Sequence, residues 1–153
     1  MLGLGNSLRK DDRIGLYLIE KLKDKFKNKD IDFLATEEMG FSLLDIISGY
    51  EKLIIIDSIL TGEKEVGFIH EIKIEDLLEG NLRSSHYAGI PDLYILSKKL
   101  NILFPEKILI LAIEVRDPFE IKEDFSEELK EKIFEIERKV EEKIKEFLNG
   151  IGI

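Results

Sequence analysis

The chain has no cysteine in 153 residues. That excludes disulfides, thiolate metal sites, iron–sulfur clusters and a cysteine nucleophile. It has only two histidines, His70 and His86, so no histidine-rich metal centre can be built. No apolar run approaches the roughly 20 residues needed to span a bilayer, and no signal peptide is expected at the start. Basic residues are the minority: 23 Lys and Arg against 32 Asp and Glu give a formal charge of −9. An acidic surface repels phosphate backbones, so a nucleic-acid partner is not expected. The G-x-S-x-G elbow and the Walker loop are also missing. The chain instead has 44% hydrophobic and 36% charged residues, enough for a real core under a densely charged surface. One domain over residues 1–153, soluble, cytoplasmic and monomeric, is the expectation.

Two segments read as strands buried on both faces, as in a parallel sheet: Lys52–Asp57, with four consecutive aliphatics, and Lys107–Ile113. Met1–Leu4 and Asp30–Thr36 read as shorter strands, and Gly67–Ile74 alternates as a strand with one apolar side. The 57-to-67 link is too short for a helical crossover, so this fourth strand is expected to run antiparallel to the third. Ile14, Leu18, Leu22 and Phe26 recur every fourth residue and predict a helix over about 12–27. Ser42 is expected to N-cap a short helix carrying Leu43, Leu44, Ile46 and Ile47. Pro91 suits the first turn of a helix to about Leu100. Ser126 is expected to cap a long helix to about Leu148, ended by Gly150. Its apolar stripe suits packing on a sheet better than a coiled coil. Three favourable pairs are expected along it: Glu128–Lys132, Glu135–Lys139 and Glu141–Lys145. The alternation predicts an α/β three-layer sandwich: a mostly parallel, twisted sheet of about five strands with helices on both faces.

Ligands of such sheets bind beyond the carboxyl ends of the parallel strands. Asp11 and Asp12 follow the first strand there, and Asp57 ends the third. A helix feeding strand 107–113 must start at the same edge, and it brings His86 with it. Carboxylates and an imidazole without thiolate suit nickel, zinc, manganese or iron, or a metal-free acid–base set. For Asp11 and Asp12 helix capping is the competing reading, with one capping while the other works. His70, in mid-strand, reads as a partly exposed sheet residue. Gly3 and Gly5 form a G-x-G, but Leu8 stands where a dinucleotide fingerprint needs its third glycine. A nucleotide turn is therefore the weaker alternative.

The run Gly3-Leu4-Gly5-Asn6-Ser7-Leu8-Arg9-Lys10-Asp11-Asp12-Arg13-Ile14-Gly15 resembles the G-x-G-N-x4-D-D/E-x2-G signature of the hydrogenase maturation endopeptidases. Glu38–Leu44, Leu53–Ser58 and Ser84–Gly89 resemble three further segments of that family, in the same order. The resemblance implies an endopeptidase that removes the C-terminal extension of a nickel-loaded large-subunit precursor of nickel–iron hydrogenase. It makes Asp12, Asp57 and His86 both the metal-contacting and the catalytic residues. The nickel would be carried by the precursor, with zinc or cadmium able to replace it in vitro. The competing reading is a non-catalytic, nickel-dependent binding module or chaperone for the same precursor. The resemblance carries nothing over to residues 115–125.

Overall fold

The computed structural model describes residues 1–27, 30–79 and 89–150. Its strands are β1 (Leu2–Leu4), β2 (Leu34–Thr36), β3 (Lys52–Ile59), β4 (Ile69–Lys73) and β5 (Lys107–Glu114). Its helices are α1 (Ile14–Lys23), α2 (Ser42–Ile47), α3 (Ile74–Leu78), α4 (Gly89–Leu100) and α5 (Glu127–Leu148), with single 3-10 turns at Asp11–Arg13 and Asp24–Phe26. The strands form one five-stranded sheet in the order β2-β1-β3-β5-β4. β1 is parallel to both β2 and β3, with Leu2 beside Leu34 and Ile55. Val115 N–H donates to Ile59 O (2.9 Å) just past the ends of β3 and β5, which run the same way. Gly67 N–H donates to Glu114 O and Glu114 N–H to Phe68 O, both at 2.8 Å. Two residues thus face one, a bulged antiparallel pairing at the start of β4. The α/β class and the mostly parallel five-stranded sheet are as expected. No helix among the described residues is long and apolar enough to cross a membrane.

The chain divides into two compact units. The first comprises Met1–Glu37, Ile54–Glu71 and Ile110–Ile153; the second comprises Glu38–Leu53 and Ile72–Leu109. In the first unit Ile14, Leu18, Ile19 and Leu22 of α1 and Leu129, Ile136, Val140 and Ile144 of α5 are all buried. Tyr17 Oη donates to Glu137 (2.8 Å), joining the two helices at the rim of this apolar layer, and Lys25 of the 3-10 turn after α1 pairs with Glu141 (2.6 Å). Burial, then the bond to Glu137, pushes the Tyr17 hydroxyl up to about 12. The stripe of α5 is therefore spent within the chain, not on a coiled-coil partner. In the second unit α3 packs on α4, and Gly49 N–H donates to Leu103 O (3.0 Å) ahead of β3 and β5.

Several expected boundaries move, each for a local reason. The 12–27 helix is broken into a 3-10 turn, α1 and a second 3-10 turn. β2 keeps only Leu34–Thr36, matching the three residues of β1 it pairs with. Ile74 leaves the strand because the Asp76 carboxylate accepts the Lys73 N–H (3.1 Å) and starts α3. Ser42 opens α2 rather than capping it: the Gly40 and Phe41 carbonyls already take the Leu43 and Leu44 amides. Its hydroxyl lies instead within hydrogen-bond reach of the Glu38 carboxylate (2.9 Å) and the Met39 carbonyl (2.8 Å), sharing its one proton between them. On α5, Ser126 caps as expected and the pairs Glu135–Lys139 and Glu141–Lys145 form. The pair Glu128–Lys132 does not: Lys132 reaches Glu65 (3.1 Å), and Glu128 takes Arg116 (3.2 Å).

The signature glycines are explained by close backbone approach. A Cβ on Gly15 would lie 2.2 Å from Leu4 O and 2.4 Å from Ile56 O. One on Gly3 would lie 2.4 Å from Gly15 O, and one on Gly5 2.1 Å from Asp12 O. Helix α1 thus lies directly on the backbones of β1 and β3, and the G-x-G turn is filled by protein backbone. Gly15→Ala is expected to cost about 3 kcal/mol or more, since neither neighbouring backbone can retreat. A thermal melt checks it; an unchanged melting temperature contradicts this packing.

Candidate active site

The loop after β1 is closed by its own polar atoms. Asn6 Oδ1 accepts the Leu8 N–H (2.9 Å) and Asn6 O the Arg9 N–H (3.2 Å). Glu37, at the end of β2, accepts both the Ser7 amide (2.6 Å) and the Ser7 hydroxyl (2.8 Å). These two bonds from Ser7 hold the Glu37 carboxyl below its ordinary value. The loop delivers Asp11 and Asp12 in sequence, and the fold gives them different surroundings.

Asp11 is fully buried and structural. Its carboxylate accepts the Ser126 amide (2.7 Å), the Ser126 hydroxyl (2.9 Å) and the Asp117 amide (3.0 Å). Its own N–H donates to Asp117 O (3.0 Å). It therefore anchors segment 117–126 and the start of α5, and does not cap α1. Lys10 adds ion pairs to Glu120 (2.6 Å) and Asp117 (3.5 Å).

Asp12 stands one residue on, half-buried, toward β3. There the Ser58 hydroxyl donates to its Oδ1 at 2.6 Å. The Ser58 amide donates to Asp57 Oδ1 at 2.8 Å. β3 runs two residues beyond Asp57, so Asp57 and Ser58 are held by a rigid strand, 3% and 2% exposed. Two of the three expected residues are thus linked through one serine at the carboxyl ends of β1 and β3. His86 lies outside the described residues. Among the described residues no group of three or more His, Cys, Asp or Glu side chains is spaced to hold a metal ion.

Ser58 was not singled out from sequence; its only signal was a hydroxyl directly after the strand-end carboxylate. Glu114 was also missed, though it ends the second aliphatic run as Asp57 ends the first. It is 1% exposed and accepts from Thr61 N and Oγ1 (both 2.9 Å), Gly62 N (3.0 Å) and His70 Nε2 (2.9 Å). Its partners lie in the β3–β4 connection and on β4, so Glu114 and the half-buried His70 fasten that connection. Burial alone would raise the Glu114 pKa, but the bonds from His70, Gly62 and Thr61 outweigh it and lower it. A lowered folded value means stability that is present above the unfolded carboxyl value of about 4.3. It is lost as pH falls through the folded value. The stability gap between wild type and Glu114→Gln is therefore expected to shrink as pH drops from about 6 to about 3. Denaturant melts across that range read it; a constant gap contradicts it.

A buried and a half-buried carboxylate, linked through Ser58 at the carboxyl edge of the parallel strands, offer hard donors and a potential base, with no thiolate. The family comparison makes this specific. Residues 16–147 match the family model described as hydrogenase maturation protease, and the chain belongs to that family of proteases. The Hydrogenase 2 maturation protease of Escherichia coli strain K12 is 27% identical over 116 residues, 74% of this chain and 70% of that protein. The NiFe hydrogenase maturation protease HybD from Thermococcus kodakarensis superposes with a TM-score of 0.64 at 26% identity, over 92% of this chain and 95% of that one. The E. coli hydrogenase maturating endopeptidase HybD shares the fold with a TM-score of 0.75 at 24% identity, over 95% and 90% of the two chains. Asp57 and His86 fall within the span matched by the family model; Asp12 precedes it.

Proposed function

We propose that this protease removes the C-terminal extension of a nickel-loaded large-subunit precursor of nickel–iron hydrogenase, with the precursor's nickel as the recognition element. The observation that carries the reading is the Asp12–Ser58–Asp57 link, in a chain of the hydrogenase maturation protease family. In this reading Asp12, Asp57 and His86 contact the metal of the docked precursor. The cysteine-free donor set suits that role: the chain offers few hard ligands and the precursor completes the shell. Zinc or cadmium would occupy the same position in vitro.

Cleavage is by water. Its oxygen bonds to the scissile carbonyl carbon, a carboxylate of the pair takes its proton, and the C–N bond breaks as the leaving amine is protonated. A metal near the carbonyl would stabilise the developing oxyanion. The enzyme works as a cytoplasmic monomer on a protein partner, in keeping with a net charge of −9 that disfavours nucleic acid. Incubation with nickel-loaded and nickel-free precursor tests the reading. Cleavage of the loaded form alone is expected. Cleavage of neither form, or of both equally, overturns it.

A further inference from the structure

We propose that Ser58 is the positioning residue of this site, holding the Asp12 and Asp57 carboxylates in one fixed mutual orientation. The inference rests on the reading that these two acids work together.

The two carboxylates come from different places. Asp57 lies on a buried strand, whereas Asp12 sits in a one-turn 3-10 segment at the end of a loop. Asp12 is 46 positions from Ser58 in the chain, and its side chain has two torsions to fix. Ser58 engages both acids at once, its amide on Asp57 and its hydroxyl on Asp12. The hydroxyl bond, at 2.6 Å, has the short length of a charge-assisted O–H···O⁻ contact. A serine hydroxyl has one proton to donate. Here a nearly fully buried serine gives it to a half-exposed acid rather than to a neighbouring carbonyl. The strand therefore serves as the rigid element from which the loop-borne carboxylate is oriented. Small errors in such orientation lower turnover by one or two orders of magnitude.

Two replacements separate positioning from packing. Ser58→Ala keeps the amide bond to Asp57 and deletes only the bond to Asp12. Ser58→Cys fills the same space with a weak donor. Both are expected to lower kcat on nickel-loaded precursor by roughly 10- to 30-fold with KM within about twofold, because the docking surface is untouched. Ser58→Thr, which keeps the hydroxyl, is expected to retain kcat within about threefold. Thermal melts accompany each variant; if Ala fails to fold, the Cys and Thr pair carries the comparison. Wild-type kcat in folded Ala and Cys variants overturns the proposal, as does a loss confined to KM or an equal loss in Thr. Failure of the wild type itself to cleave loaded precursor overturns the underlying reading instead, and so is told apart.

Discussion

An Asp57→Asn variant is expected to lose processing of nickel-loaded precursor by about a thousandfold while remaining folded. Asparagine keeps the shape of the side chain and an oxygen to accept the Ser58 amide, so the end of β3 is preserved. What it removes is the negative charge. In the proposed role of holding a cation and accepting a proton, that charge has no substitute. The strand position is 3% exposed, so no solvent rearrangement restores it. Processing assays and a melt on the same preparation read both halves of the expectation. Near-normal turnover would show that Asp57 is a buried strand residue and nothing more.

The second large effect concerns the neighbouring pair. Asp11→Ala is expected to destabilise the protein by about 3–5 kcal/mol. It leaves the Ser126 amide and hydroxyl and the Asp117 amide without their acceptor inside the protein. For a chain of this size that corresponds to a fall of roughly 10 °C in melting temperature. Asp12→Asn, one residue along, is expected to melt within a few degrees of wild type and to lose activity as Asp57→Asn does. Calorimetry on the two variants checks the division of labour. Equal destabilisation, or loss of activity without loss of stability in Asp11→Ala, would reverse the roles.

That division was not legible in the sequence. Asp11 and Asp12 are identical side chains with the same local signals, and either could cap a helix. The symmetry is broken by Ser126 and Asp117, more than a hundred residues away, which only folding brings to Asp11. The strands at 53–56 and 108–113 were legible because burial on both faces demands an unbroken aliphatic run. Helix α5 was legible from Ser126 at one end and Gly150 at the other, since caps act locally. The end of β4 was not: Ile74 continues the alternation, and only the Asp76 carboxylate three residues on turns the chain into a helix. Lys132 likewise had a partner at the right helical spacing but lay within reach of Glu65 in the folded chain. Asp12 and Asp57 could be placed from topology alone, because residues near the carboxyl ends of parallel strands share one edge, although β3 runs on to Ile59 instead of ending at Asp57. The serine between them required the register Gly3 beside Ile56, which no spacing in the sequence encodes.

In the proposed function Asp12, Asp57 and His86 hold one metal ion. A crystal structure grown with cadmium, zinc or nickel tests it most directly. An ion is expected with a carboxylate oxygen of Asp12 and one of Asp57 at about 2.0–2.3 Å, and a ring nitrogen of His86 at a similar distance. An ion bound elsewhere, or one held at this edge without all three side chains, would contradict it.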